Sequence, residues 1–252
     1  MGKYFLGLCL LLLAITASGQ MTSGLTGKRD TSYTNYSAYQ STRKQHQNIK
    51  LVREFRLPSV REKRNITYCK IGDRSLLLDA FYPKKNTPRK TPAILVIHGG
   101  GWRSGSRAQH IPLAQRLASR GYACFTAEYR LSTEALYPAA VHDLKAALRW
   151  LRANAKEFNI DTSRIAALGF SAGGELAAFI GTTNKNPQYE GANCQLNFSS
   201  EVQAIVDIDG TLSFVHPESG EGNDSRSISA ATYWFGSRCS SHGPCCCLTM
   251  RG

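Results

Sequence analysis

The sequence predicts an α/β protein: a mostly parallel sheet with helices on both faces. Two observations predict it. Residues 93–97, 122–127, 164–168 and 202–208 are short, largely apolar runs, and the segments between them, 113–120, 138–158 and 173–180, read as helices. A strand that is apolar along its length has no solvated face, so crossover helices must cover both sides of the sheet. A chain of 252 residues, 42% of them apolar, suffices for one substantial core and is too short for two large domains.

In chain order, residues 1–19 have the form of a secretory signal. Lys3 supplies the positive end, residues 4–15 an apolar run, and Ala17-Ser18-Gly19 a small-residue cleavage site before Gln20. The run is shorter than the ~20 residues that span a bilayer. The expectation is therefore cleavage, no stable membrane insertion afterwards, and a secreted or periplasmic protein. Residues 20–60 are polar, without sustained apolar periodicity, and are expected to be a disordered leader. Residues 28–90 hold 16 Lys and Arg against 5 Asp and Glu, a balance of +11, whereas residues 91–252 hold 14 against 13. The formal charge of +13 thus belongs to the N-terminal part of the chain. A solvated linker is the ordinary reading of such a stretch, and a polyanion or envelope-surface contact the alternative. No nucleic-acid module is present, so no nucleic-acid partner is expected.

The folded unit is expected over residues 61–237. It opens with a hairpin, residues 65–71 and 75–81 around Gly72-Asp73-Arg74. In the helix predicted over 138–158, Val141, Leu144, Leu148, Leu151 and Ala155 form one stripe, while Lys145, Arg149 and Arg152 face elsewhere. Cys69, Cys124 and Cys194 lie singly in this unit, and Cys239, Cys245, Cys246 and Cys247 crowd the end. They do not read as a disulfide framework. Cys124 falls in a predicted buried strand, where a free thiol acts as a small hydrophobe. The final triplet lacks both C-x-x-C spacing and companion histidines, so no metal and no cofactor is expected.

Two stretches carry chemistry. Gly169-Phe170-Ser171-Ala172-Gly173 lies between a predicted strand and a predicted helix. A serine on so sharp a turn needs neighbours without side chains, and the turn presents its hydroxyl beside the free amides of the helix N-terminus. Ser171 is the candidate nucleophile. His98-Gly99-Gly100-Gly101-Trp102 follows the first parallel strand. Successive glycines let main-chain N–H groups approach a ligand, as an oxyanion hole requires. A phosphate loop is the rival reading, but its lysine and Ser/Thr are missing. His98 is expected to pin this loop rather than to act as a base.

Together these stretches resemble α/β-hydrolase esterases with an HGGG-type loop, the group akin to hormone-sensitive lipase. Residues 98–106, Glu128-Tyr129-Arg130-Leu131, Tyr137-Pro138 and residues 159–174 look most like bacterial secreted carbohydrate esterases of the feruloyl and acetyl esterase type. The resemblance covers about residues 65–237. It implies an α/β-hydrolase fold, Ser171 as nucleophile, and the amides of Ala172, Gly100 and Gly101 as oxyanion donors. It also implies hydrolysis of a small-molecule or polysaccharide ester through an acyl-enzyme. Ser-His-Asp chemistry cleaves amides too, so a peptidase on the same fold is one alternative, and a non-catalytic remnant or binding protein is another.

The departure lies toward the C-terminus. Triad partners follow the serine in the order acid, then histidine, after later strands than this sequence carries. The domain is therefore expected to be incomplete and its activity impaired. Asp207 and Asp209 lie one strand too early for the acid, and His216 and His242 are poor candidates for the base. Residues 238–252 turn abruptly Cys-, Ser- and Gly-rich and read as an aberrant tail. Trp102, Tyr233 and Trp234 are candidates for an aromatic wall, although large aromatics more commonly fill a core.

Overall fold

The computed structural model describes residues 22–84, 89–214, 216 and 227–238. The expected signal and most of the expected tail lie outside them. Among the described residues six strands form one sheet in the order β1-β2-β4-β3-β5-β6. Strand β1 (Val60–Ile71) pairs antiparallel with β2 (Arg74–Pro83), and β2 antiparallel with β4 (Ala123–Ala127). From there the sheet is parallel: β3 (Thr91–Ile97) lies between β4 and β5 (Ile160–Phe170), and β6 (Ala204–Ile208) forms the far edge.

The alternation of β3 builds a core on each face of the sheet. Leu95 and Ile97 join Phe125, Leu148 and Leu176 under helices α3 (Ala139–Ala153) and α4 (Ala172–Thr182). Ile94 and Val96 join Phe81, Cys124 and Leu168 under α2 (Ile111–Ser119). Both faces of β3 are thereby sealed, as its continuous apolar sequence requires. Cys124 is the buried free thiol expected, and burial raises its pKa far above the usual thiol value.

Four expectations need correction. The helix predicted over 138–158 stops at Ala153, where Asn154 caps it and donates from Nδ2 to the Trp150 carbonyl at 2.9 Å. The turn that follows sends Phe158 edge-on against Phe125. Secondly, Lys145 and Arg149 are not solvated. The loop 183–201 closes over them, and Glu190 accepts from Lys145 Nζ at 2.9 Å and from Arg149 Nη1 at 3.1 Å. Arg149 also donates to the carbonyls of Asn193 and Cys194, so a cationic helix face holds the loop through its carboxylate and its backbone. Thirdly, Cys69 and Cys194 form a disulfide, with Cα atoms 5.6 Å apart across 125 residues of sequence. That separation hid the pairing.

Fourthly, the leader is ordered from residue 22 onward and lies along the domain. The amides of Thr26 and Gly27 donate to Thr133 O at 2.9 Å, Gly105 donates to Asp30 O at 3.0 Å, and Phe55 exchanges two hydrogen bonds with the Gln115 side chain. Arg29 donates to Glu128 Oε1 at 2.6 Å, and the same buried carboxylate is held by Arg74 and Arg107. Within the leader, α1 (Asn35–Thr42) starts at a reciprocal Thr34–Ser37 cap and buries none of its residues. The segment has no apolar face, in keeping with its lack of apolar periodicity. Its order comes from polar anchoring to the body.

Removing one partner from a buried ion pair leaves an uncompensated charge. Glu190→Ala is expected to cost about 3 kcal/mol or more of unfolding free energy in urea titrations. A loss below ~1 kcal/mol would mean the two cations find other partners. The double variant Cys69→Ser/Cys194→Ser should lose about 3 kcal/mol by the same measurement, because the bridge closes so long a loop.

Candidate active site

Strand β5 ends at Phe170 and α4 begins at Ala172, so Ser171 alone makes the bend, at φ 53° and ψ −125°. Its amide donates to Ile208 O at 2.9 Å, which fastens the bend to the end of β6. The flanking glycines are obligatory. A Cβ on Gly169 would lie 1.9 Å from Gly173 O, and one on Gly173 would lie 2.4 Å from Ile97 O and 2.6 Å from His98 O. Closed packing on all sides leaves the serine one direction to face, and Ser171 is exposed.

The loop after β3 runs against this bend. A Cβ on Gly99 would stand 3.3 Å from the Ser171 Cβ, and Gly100 (φ 119°) turns where any side chain would strike Ser104 O. Gly99, Gly100, Gly101 and Ser171 line one cavity of about 410 Å³. Ala172 is buried at the first position of α4, where helix amides have no intrahelical partner. The bend, the glycine loop and the helix N-terminus thus converge beside one serine.

A model of the BD-FAE family matches residues 78–246, about two thirds of the chain. The chain belongs to the BD-FAE family. It is 37% identical over 139 residues to esterase LipC of Mycobacterium tuberculosis, covering 55% of this chain and 34% of LipC. It is 37% identical over 126 residues to the carboxylesterase NlhH of the same organism, covering 49% of this chain and 39% of NlhH. Among solved structures, esterase Est2 of the planctomycete Thermogutta terrifontis is 30% identical with TM-score 0.55, over 71% of this chain and 65% of Est2. A truncated carbohydrate esterase from gut microbiota is 31% identical with TM-score 0.56, over 62% of this chain and 59% of that one. The chain therefore spans little more than a third of the length of these curated relatives. The fold is the α/β-hydrolase fold, of the hormone-sensitive-lipase-like kind. The family match reaches Cys246, past the point at Ser237 where the sequence reading ended its resemblance.

His98 of the BD-FAE glycine loop is fully enclosed. Its ring stacks on Tyr129 at 4.4 Å, Tyr129 Oη donates to its carbonyl at 2.9 Å, and its Nδ1 lies 2.9 Å from Gly99 O. Burial lowers its pKa to about 3, so the ring is neutral and holds the loop. Trp102, at the other end of the loop, is core rather than a cavity wall. It stacks on Trp234 at 5.0 Å, and its Nε1 donates to Glu175 Oε2 at 3.1 Å. Tyr233 lies under the Arg103 guanidinium instead of over the cavity. Trp102 and Trp234 thus fill the core, as large aromatics more commonly do, and none of the three rings lines the Ser171 cavity.

Glu175 is the group the sequence reading overlooked. It sits one turn after Ser171, buried, and joins the nucleophile helix to the glycine loop. Burial, against the pull of the Trp102 hydrogen bond and with the help of the neighbouring Asp207 charge, raises its pKa to about 8. Asp207 accepts from Gly210 N at 2.9 Å and Asp209 sits at φ 60° in the same turn; neither lines the Ser171 cavity. His216 is exposed outside it, and His242 lies outside the described residues.

Tyr33, Asn35, Gln109 and His110 line the cavity and were not foreseen. Gln109 and His110 belong to the segment that returns over the glycine loop before α2, a position that could have drawn attention to them. Tyr33 and Asn35 come from the leader, and nothing in its pattern marked them. His110 stacks on Phe170 at 4.4 Å, and burial lowers its pKa to about 4.

Glu175 gives a pH dependence with a definite sign. Its folded pKa lies above the unfolded value of 4.5, so its stabilising contribution is full below about 4.5 and is lost as pH rises through about 8. Glu175→Gln keeps an acceptor for Trp102 without the titration. Between pH 5 and 8 the native chain is expected to lose stability relative to this variant, by at most ~1.4 kcal/mol per pH unit. Parallel urea-stability curves for the two proteins would refute the assignment.

Proposed function

We propose that this chain is an exported serine ester hydrolase that removes acetyl or feruloyl groups from plant polysaccharide. The observation that carries the reading is the exposed Ser171, strained at its bend and sharing a cavity with the bare amides of Gly99, Gly100 and Gly101. Ser171 Oγ would add to the ester carbonyl carbon, and the amides of Gly100, Gly101 and Ala172 would hold the resulting oxyanion. Collapse breaks the ester C–O bond, the alcohol leaves with a proton, and an acyl-serine remains. Water then cleaves the acyl-serine and restores the hydroxyl.

The ester class is supported by the family and by the esterases LipC, NlhH and Est2. The carbohydrate substrate is supported by the sequence resemblance and by the likeness to a gut-microbiota carbohydrate esterase. Export is supported by the pattern of residues 1–19 and by the Cys69–Cys194 disulfide, since such bridges persist in oxidising compartments. The proton acceptor limits the rate. His110 is the one imidazole among the described residues that line the cavity, and it is buried against Phe170. Among the described residues no base is better placed, and we propose that acyl transfer by them alone is slower by on the order of 10⁴-fold.

A fluorophosphonate probe, which reacts with activated serines, tests this reading. Labelling is expected on Ser171 and is expected to vanish in Ser171→Ala, with p-nitrophenyl acetate or methyl ferulate cleaved in preference to a peptide anilide. Anilide preference would establish the peptidase. Folded protein that resists labelling altogether would establish a binding protein with an inert serine.

A further inference from the structure

We propose that a groove leading from the Ser171 cavity between α1 and α2 is a binding subsite for a carboxylate-bearing polysaccharide, with the basic segment 43–56 as its rim. The proposal rests on the ester-hydrolase reading in one respect only: it places the alcohol side of the ester in this groove.

Continuity is the first support. Asn35 Nδ2 donates to Gln109 O at 2.8 Å, and this pair borders three adjoining spaces. One is the catalytic cavity. The second, about 310 Å³, lies between Gln109 and Arg53. The third, about 630 Å³, is walled by Tyr39, Ile49, Phe55 and Leu113. The two outer spaces extend the catalytic cavity along the surface and give room for a ligand longer than the reacting ester.

The second support is charge. Arg43, Lys44, Lys50, Arg53 and Arg56 are all exposed, and none forms an ion pair among the described residues. The one acid of the segment, Glu54, is engaged by Arg64 at 2.9 Å. Across the groove Arg116 is exposed too, with its guanidinium 4.0 Å above the Phe55 ring. Among the described residues no carboxylate lines the third of these spaces. Rings and aliphatic walls suit the flat apolar faces of sugars, and the cations above them select a chain that carries carboxylates. A leader with no core of its own, held rigid by the domain's carboxylates, keeps these cations beside the reaction.

Binding tests this without turnover. Ser171→Ala protein is titrated calorimetrically with polygalacturonate and, separately, with neutral arabinoxylan of similar length. Polygalacturonate is expected to bind and to weaken as salt screens the charges. Lys50→Glu/Arg53→Glu should weaken it on the order of tenfold. Lys90→Glu/Lys156→Glu, with equal charge change at the N-terminal ends of the parallel strands, should not. Equal loss in both pairs would reduce the effect to net charge and overturn the subsite, as would equal affinity for the neutral polymer. Labelling of Ser171 in the native chain without polygalacturonate binding would sink the subsite alone. Binding without labelling would sink the hydrolase and keep the subsite.

Discussion

The structure depends on one steric constraint, the backbone contact between the first turn of α4 and the end of β3. Gly173 lies where any Cβ would enter the carbonyls of Ile97 and His98, and Gly169 lies where one would enter Gly173 itself. Two glycines therefore set the distance between the glycine loop and the bend at Ser171. The positive φ of Ser171 follows, because the chain must reverse within one residue to leave β5 and enter a helix packed this closely. Such strain persists where surrounding contacts over-determine it, and the Ser171 amide bonded to Ile208 is one of those contacts.

Around that contact the protein uses buried polar groups as fasteners. Trp102 and Glu175 join loop to helix through one hydrogen bond between two enclosed side chains. Lys145 and Arg149 gather the loop 183–201 through Glu190, and Cys194 in the same loop is bridged to β1. A protonated carboxyl at Glu175 serves better than an ionised one, since it accepts from the indole without carrying charge into the core.

Much of the fold was legible because period and composition report burial directly. Strands β3 and β4 and the second half of β5 betray themselves by nearly continuous apolar sequence, and the bend at Ser171 by glycines that only close packing explains. What escaped is what depends on distant partners. Nothing local to Cys69 names Cys194. Nothing in Lys145 or Arg149 says that a loop forty residues on will cover them, since charge on a helix face ordinarily means solvent. Glu175 was hidden in the same way: a carboxylate in a first helical turn is expected to face water and the helix dipole, yet here an indole from another element encloses it.

The leader shows the limit of composition most clearly. Low apolar content excludes a core of its own, but order does not require one when a neighbouring body supplies the partners. Glu128, buried and surrounded by arginines from β2, from the segment before α2 and from the leader, is such a partner. Arg29 is thus neutralised by the domain, whereas Arg43, Lys44, Lys50, Arg53 and Arg56 of the leader form no ion pair among the described residues. A basic segment with its anchor satisfied and its outer half unpaired has its free charge at one place on the surface, beside the cavity that holds Ser171. Location, and not the net figure for the chain, gives that charge its meaning.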